Sequence, residues 1–282
     1  MKVSVITGSS TGIGAATALR LTRDGHSVVA TMRNPDASDL AKLGADAGVE
    51  LDIRPLDVTD DSSVDTLFTG VLHDYGRVDV LVNNAGLGTG GIVEETEMDV
   101  YARVMETNFF GALRCAKAVL PSMREQVSGC IVAVSSQAGR IAAPNMTPYT
   151  SSKFALEAAM EGLAAEVERL GIRIAIIEPG MILTPIWGKV DIRPPSEPYA
   201  HIVGRLTSMV MREMQSGSTA DEVADCIAAA IAAEPPKLRW LVGQGAERNV
   251  RNRASWTDEE TIAIWNQPDD DAFMKAIFAG DA

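Results

Sequence analysis

Residues 3–14 of this 282-residue chain read VSVITGSSTGIG, an apolar run that enters a glycine-rich turn and then an alanine-rich helical pattern. Strand, turn and helix in this order can bind phosphate, because the helix presents unpaired N–H groups to an anion. Gly8 would permit the tight turn, Gly12 a close approach to a pyrophosphate, and Gly14 close packing of helix on strand. The spacing matches neither G-x-G-x-x-G nor a Walker loop, so a glycine-rich turn without a ligand is the alternative.

The rest of the chain continues the alternation of strands and helices. Short apolar segments rich in β-branched residues predict strands near 3–7, 27–32, 50–55, 78–82, 129–135, 172–178 and 238–242. Helical patterns lie near 13–24, 60–75, 99–126, 149–170 and 219–233. This alternation predicts an α/β fold with a single-domain, Rossmann-type, doubly wound parallel sheet of about seven strands and helices on both faces. Ligands of such a sheet bind at the carboxyl ends of its strands.

Tyr149 and Lys153 are four residues apart in one predicted helix, so their side chains lie one turn apart on the same face. A phenol normally keeps its proton up to a pH of about 10, but a neighbouring ammonium favours the phenolate. The pair can therefore act as an acid and a base. The spacing also arises by chance, so it needs support from other motifs.

Six motifs occur together and in order: Thr7-Gly8-x-x-x-Gly12-Ile13-Gly14, Asn83-Asn84-Ala85-Gly86, Asn108, Ser136, Tyr149-x-x-x-Lys153 and Pro179-Gly180. This pattern resembles the classical short-chain dehydrogenase/reductase family, from Lys2 to the region of Gly243. Residues 29–34 and 239–243 are most similar to the branch of hydroxysteroid and retinol dehydrogenases.

The resemblance implies a role for each catalytic residue. Tyr149 would donate a proton in reduction and accept one in oxidation, while a nicotinamide exchanges hydride with the substrate carbon. Lys153 would hold the nicotinamide ribose and lower the pKa of the tyrosine. Ser136 would hydrogen-bond the substrate oxygen, with Ser135 as the alternative. Asn108 would distort its helix and hold a water that links the lysine to solvent; a polar helix surface is the alternative.

The position after the second strand bears on the choice of cofactor. Met32 stands where NAD-preferring members of the family carry an acidic residue, and Arg33 follows it. A guanidinium can pair with a 2′-phosphate, so NADP(H) is favoured over NAD(H). Arg33 could instead be a solvated charge. Many NADP-preferring relatives also carry a basic residue where this chain has Thr11.

The remaining cofactor contacts follow from the resemblance. Asp57 and Val58 would contact the adenine, although an aspartate here could also cap the helix that begins near Asp60. Pro179 and Gly180 would contact the carboxamide. The complete predicted cofactor set is Thr7, Gly8, Ser10, Gly12, Ile13, Gly14, Arg33, Asp57, Val58, Asn84, Ala85, Gly86, Tyr149, Lys153, Pro179, Gly180 and Thr184.

Two stretches interrupt the alternating pattern. We expect residues 1–243 to form the dinucleotide-binding and catalytic domain, with a substrate loop at about 182–215, as the resemblance implies. Residues 244–282 would be a C-terminal extension that packs on the same domain or on a partner subunit, and it contains Trp256 and Trp265. An apolar substrate, the protein core or a subunit contact would each explain the apolar residues of the loop region, which are Met181, Ile182, Ile186, Trp187, Tyr199, Met209, Met211 and Met214.

Composition excludes several classes of protein. A net charge of −13 argues against nucleic-acid binding, because phosphates require a basic surface. The three cysteines and three histidines have no mutual ligand spacing, so we expect no metal, no disulfide framework and a reducing cytoplasm. The first strand begins at once, and no apolar run approaches the roughly 18 residues of a membrane span. We therefore expect a protein that is neither secreted nor membrane-spanning.

Together these features predict an oxidoreductase that interconverts a ketone or aldehyde with its alcohol, using NADP(H) and a substrate that is apolar. A catalytically silent NADP(H)-sensing regulatory protein on the same fold is the alternative, because fold alone does not dictate function. Members of the family pair through the helices that correspond to 99–126 and 149–170 here, which implies a homodimer or homotetramer.

Overall fold

Seven parallel strands form one sheet in the order β3-β2-β1-β4-β5-β6-β7. The computed structural model describes residues 1–189 and 195–279. The strands are β1 (Val3–Ile6), β2 (Ser27–Met32), β3 (Asp52–Pro55), β4 (Val80–Asn83), β5 (Gly129–Val134), β6 (Ile172–Pro179) and β7 (Arg239–Val242). All seven lie where the sequence predicts them, so the Rossmann-type α/β fold is confirmed. The order in which successive strands are added to the sheet reverses between the adjacent parallel strands β1 and β4, and such a switch point opens a crevice for ligands.

Eleven α-helices lie in the described ranges. They are α1 (Gly12–Arg23), α2 (Leu40–Asp46), α3 (Asp61–Tyr75), α4 (Met98–Met105), α5 (Gly111–Glu125), α6 (Thr147–Val167), α7 (Ala200–Met214), α8 (Ala220–Ala232), α9 (Ala246–Ser255), α10 (Asp258–Trp265) and α11 (Asp270–Ile277). A π-helical turn, Glu106–Phe110, joins α4 to α5. Within residues 1–189 and 195–279, every helix is too short or too polar to cross a lipid bilayer.

Apolar helix faces cover both sides of the sheet. One hydrophobic cluster joins the sheet to α3, α5 and α6, and a second joins it to α1 and α8. Every residue of β1, β4 and β5 is buried, because these strands have neighbours on both edges and helices on both faces. The edge strands β3 and β7 remain partly exposed. Burial of β-branched side chains in the central strands therefore stabilises the layer that carries the site.

The segment predicted as an irregular substrate loop contains a helix. Helix α7 occupies Ala200–Met214, and residues 190–194 of the predicted loop lie outside the described residues. A third hydrophobic cluster of Leu206, Ile264, Trp265 and Phe273 packs α7 against the C-terminal helices. The extension thus folds back onto the segment that follows β6.

Candidate active site

The glycine turn between β1 and α1 packs against the turn that follows β4. A Cβ atom on Gly8, whose φ is +69°, would lie 2.7 Å from the Cα of Ala85. A Cβ atom on Gly14 would lie 2.4 Å from the carbonyl oxygen of Gly8. Neither position leaves room for a side chain, so the two turns meet backbone against backbone.

Hydrogen bonds hold these two turns together. Thr7 Oγ1 accepts from the backbone N–H groups of Asn84 and Ala85, each at 3.0 Å. Asn84 Nδ2 donates to the carbonyl oxygens of Thr7 at 2.9 Å and Gly8 at 3.0 Å. Thr7 is buried, so it supports the glycine turn from behind.

A cavity of about 690 Å³ runs along the carboxyl ends of the strands and past the N terminus of α1. Most of the predicted site residues line it: Gly8, Ser10, Gly12, Ile13, Arg33, Asp57, Val58, Asn84, Ala85, Gly86, Ser136, Tyr149, Lys153, Pro179, Gly180 and Thr184. The other predicted residues, Thr7, Gly14 and Asn108, do not line it. The fold thus brings residues from five of the six motifs to one concave surface.

Arg33 and Asp57 line the cavity where β2 and the edge strand β3 end. Arg33 is exposed, and none of the described residues forms a hydrogen bond or ion pair with it. Asp57 Oδ1 accepts from the N–H of Thr59 at 2.9 Å and from its hydroxyl at 2.7 Å. The N-cap of α3 is Asp60, whose side chain accepts from Ser62. The helix-cap alternative for Asp57 is therefore wrong.

Tyr149 and Lys153 lie one turn apart in α6, and both line the cavity. The Lys153 Nζ atom is 5.7 Å from the centroid of the Tyr149 ring. It donates to the carbonyl oxygen of Val134, the last residue of β5, at 2.8 Å. This bond anchors the lysine, which is only 5% exposed, at the carboxyl edge of the sheet.

Ser136 is in the turn after β5 and lines the cavity beside Tyr149 of α6. Its hydroxyl interacts with the Tyr149 hydroxyl and forms a long hydrogen bond, 3.4 Å, to the Pro179 carbonyl oxygen. Ser135 also reaches the cavity, but its hydroxyl is buried beside the Glu157 carboxyl group. The geometry therefore favours Ser136 over Ser135 as the partner of the phenol.

Burial shifts the pKa values of both residues of the pair. Burial raises the pKa of Tyr149, and the Ser136 hydroxyl opposes this shift. Burial lowers the pKa of Lys153 to about 8, and the Glu157 carboxyl group opposes it. The expected lowering of the Tyr149 pKa by Lys153 is not seen: burial raises this pKa, and the group that opposes the shift is Ser136. At neutral pH the site therefore holds a neutral phenol, the form that a proton donor needs.

Asn108 lies in the π-helical turn Glu106–Phe110 and is 1% exposed. Its Oδ1 accepts from the Leu87 N–H at 2.7 Å, and its Nδ2 donates to the Leu87 carbonyl oxygen at 3.0 Å. Nδ2 also donates to Ser152 Oγ at 3.0 Å, and Ser152 donates to the Tyr149 carbonyl oxygen at 2.7 Å. Asn108 is thus no surface position: it joins the cavity wall to the helix that carries Tyr149. Its part in a proton relay stays a prediction.

The segment after β6 crosses from the sheet to the glycine turn. A Cβ atom on Gly180 would lie 2.1 Å from the carbonyl oxygen of Gln244, so this segment packs tightly against the chain after β7. Thr184 lies against the start of α1, since a Cβ atom on Gly12 would be 3.4 Å from its side chain. Pro179, Gly180 and Thr184 consequently line the cavity along the path from the end of β6 to the start of α1.

Apolar side chains from the segment after β6, from α7 and from the C-terminal helices form another part of the cavity wall. Seven of the apolar residues noted in the sequence line it: Met181, Ile182, Ile186, Trp187, Met209, Met211 and Met214. Tyr199 does not, because its hydroxyl bonds Glu94 instead. Sequence reasoning missed Gln137, Asn249 and Arg253, which also line the cavity. No local motif marks them; only the two tryptophans of the extension drew attention to that region.

A buried ionic cluster lies behind Lys153. Arg239 of β7 bonds Glu157 at 3.1 Å and Glu178 at 3.3 Å, and Arg140 bonds Glu178 at 3.2 Å. Glu157 and Glu178 are 4% and 0% exposed, and buried carboxylates need such partners. The cluster ties the turn after β5, α6 and β6 together. This cluster is not a metal site, because no group of three His, Cys, Asp or Glu side chains in the described part of the chain could hold a metal ion.

Comparison with known proteins identifies the family. The family model for short chain dehydrogenases matches residues 2–194, so the chain belongs to the short-chain dehydrogenase/reductase family of oxidoreductases. The uncharacterized oxidoreductase YusZ of Bacillus subtilis is 34% identical over 272 residues, 93% of this chain and 96% of its own length. Human retinol dehydrogenase 8 is 40% identical over 191 residues, 66% of this chain and 60% of its own length. The predicted likeness to retinol dehydrogenases is confirmed.

Solved structures support the same assignment. A short-chain dehydrogenase from Streptomyces avermitilis superposes with a TM-score of 0.83 at 36% identity, over 93% of this chain and 97% of that one. An actinorhodin polyketide ketoreductase variant with NADPH gives 0.76 at 32% identity, over 87% and 97%. A Burkholderia phymatum short-chain dehydrogenase/reductase with NAD gives 0.77 at 26% identity, over 90% and 92%. A nicotinamide cofactor is therefore supported. The two complexes do not distinguish NADP(H) from NAD(H), because one contains NADPH and the other contains NAD.

Replacing Glu157 by glutamine should make the site more sensitive to alkaline pH. Without the opposing carboxyl group, the pKa of Lys153 should fall below about 8, so the ammonium is lost at a lower pH. The alkaline limb of the pH profile of kcat/KM for carbonyl reduction should therefore move to lower pH.

Glu161→Gln is the matched control for this experiment. Glu161 also bonds Arg239, but it is 61% exposed and lies two turns beyond Lys153. A profile that stays in place for Glu157→Gln, or moves equally in both variants, contradicts the role of Glu157.

Proposed function

We propose that this chain interconverts an apolar ketone or aldehyde with its alcohol, using NADP(H). One observation carries the proposal: Tyr149, Lys153 and Ser136 face the same cavity as the glycine turn. A proton donor and a phosphate-binding helix terminus therefore border one space. That space has the volume typical of small-molecule sites, which is about 300–1,000 Å³.

Each polar residue would have a separate task. A bound nicotinamide cofactor would supply or remove the hydride. The Tyr149 phenol would give its proton to the substrate oxygen in reduction and take it back in oxidation. The Ser136 hydroxyl would donate a hydrogen bond to the same oxygen and stabilise its developing charge. The Lys153 ammonium would stabilise the phenolate that remains after proton transfer.

The preference for NADP(H) rests on the two residues at the carboxyl end of β2, Met32 and Arg33. Met32 occupies the position where a carboxylate would repel a 2′-phosphate, and the Arg33 guanidinium has no protein partner among the described residues. A free guanidinium can form a bidentate, charge-assisted contact with phosphate oxygens. The NADPH complex of a related ketoreductase is consistent with this choice.

An apolar substrate agrees with the walls supplied by α7 and the extension. Met209, Met214, Trp256 and Trp265 line that part of the cavity, and methionine adapts well to apolar ligands of varied shape. The likeness to a retinol dehydrogenase points the same way.

Tyr149→Phe should abolish turnover and keep cofactor binding. Loss of the proton donor should lower kcat by a factor of about 10² to 10⁴, measured by NADPH absorbance with steroid, retinoid, quinone and aryl ketones. Tyr199→Phe is the matched control, since Tyr199 lies outside the cavity. If the unmodified protein binds NADPH but reduces none of these carbonyls, the enzymatic proposal fails and the NADP(H)-sensing alternative is favoured.

Arg33→Ala should weaken NADPH binding much more than NADH binding. Loss of one charge-assisted contact should raise the Kd for NADPH by about 10-fold to 100-fold, measured by fluorescence titration. Arg23→Ala removes an equal charge from an exposed position outside the cavity and should change neither Kd. Equal losses for NADPH and NADH in Arg33→Ala would overturn the preference for NADP(H).

We also infer a homodimer or homotetramer that forms through α4, α5 and α6. Phe110 and Phe154 lie on this helical surface, and they are 44% and 43% exposed. Burial of such side chains would favour association.

Sedimentation velocity should give a dimer or tetramer, and Phe154→Asp should shift the association equilibrium toward the monomer. Ile262→Asp, on α10, should not. A monomeric parent protein at micromolar concentration contradicts this inference.

A further inference from the structure

A chain of polar side chains lines the cavity beside Ser136. Gln137 directly follows Ser136, Glu213 lies near the end of α7, and Asn249 belongs to α9 of the C-terminal extension. All three line the cavity. Asn249 Nδ2 donates to Gln137 Oε1 at 2.9 Å and to Glu213 Oε1 at 3.2 Å.

The carboxylate at one end of this chain fixes the direction of every hydrogen bond. Glu213 is 2% exposed and forms an ion pair with Arg248, so its oxygens only accept. The Asn249 atom that faces Glu213 must then be the amide nitrogen. Because the same nitrogen reaches Gln137, Gln137 must offer its oxygen there.

This arrangement leaves the Gln137 amide nitrogen as a donor. Within the described residues, Gln137 Nε2 has no hydrogen-bond partner, while its side chain lines the cavity next to Ser136. A ligand that accepts a hydrogen bond from this donor binds more tightly. A ligand that covers the donor without accepting its hydrogen bond binds more weakly, because the N–H group then loses its contact with water. A substrate oxygen close to the reacting carbonyl would meet this donor.

We propose that Gln137 recognises a second oxygen of the substrate, so that the preferred substrates are apolar β-keto esters rather than simple ketones. This inference rests on the proposed function, because Ser136 must bind the reacting carbonyl. Asn249 is a positioning residue that acts through Gln137. The C-terminal extension thereby completes the substrate site of the same chain.

Two ketones of matched chain length test the recognition. Steady-state reduction of ethyl 3-oxodecanoate and 3-decanone with NADPH gives kcat and KM for each. Gln137→Met keeps the length of the side chain and removes the donor. It should lower kcat/KM for the keto ester by about threefold to tenfold, mainly through KM, and change the value for 3-decanone by less than about twofold.

Asn249→Ala should reproduce the selective effect on the keto ester. Asn252→Ala is the matched control one turn further along α9, because Asn252 is an asparagine of the same helix that donates instead to the Ala279 carbonyl oxygen, at 2.9 Å. It should leave the ratio of the two kcat/KM values unchanged.

The possible outcomes separate this inference from the proposed function. Reduction of both ketones with equal losses in Gln137→Met overturns the recognition by Gln137 and leaves the proposed function in place. Equal changes of the ratio in Asn249→Ala and Asn252→Ala overturn the positioning role of Asn249. Failure to reduce the keto ester by a protein that binds NADPH and reduces a ketone of the steroid, retinoid, quinone and aryl panel overturns this inference alone. Failure with every one of these carbonyls overturns the proposed function and this inference with it.

Discussion

Backbone-to-backbone packing of two turns is the constraint on which the site depends. The turns after β1 and β4 are adjacent because the strand order reverses there, and Gly8 meets Ala85 with no space for a side chain. The contact directs the N terminus of α1 toward the cavity. It also places Leu87 where Asn108 can hold it, and through Ser152 the same hydrogen bonds reach the backbone of Tyr149. The end that we propose binds phosphate and the end that we propose transfers protons are therefore built on one connected frame.

Burial gives the second organising effect, because it changes the acidity of the groups that the frame brings together. Tyr149 keeps its proton more strongly than a free phenol, while Lys153 holds its proton less strongly than a free amine. The Ser136 hydroxyl and the Glu157 carboxyl group each oppose one of these shifts. Arg239 in turn pairs with Glu157 and Glu178, so the buried charge behind the lysine is balanced by the last strand of the sheet.

The local patterns of the sequence were sufficient for the sheet and for the motif residues. Apolar, β-branched runs predicted all seven strands, since buried parallel strands require them. The pattern was less informative for α7, where proline and methionine content suggested an irregular loop, and for the short helix α2. It could not rank Asp57 against Asp60 as a helix cap, because both are aspartates near the same helix start. The effect of burial on Tyr149 and the contact of Gln137 with Asn249 depend on packing between distant segments, which leaves no local pattern.

A crystal structure of the protein with NADP⁺ is the decisive measurement. The pyrophosphate should lie at the N terminus of α1 within the Gly8–Gly14 turn, and the 2′-phosphate should contact Arg33. The nicotinamide ring should lie beside Tyr149 and Lys153, with C4 facing a space about 3–3.5 Å away that a carbonyl carbon can occupy. A dinucleotide bound away from the glycine turn, or a nicotinamide ring remote from the Tyr149 hydroxyl, would contradict the oxidoreductase site described above.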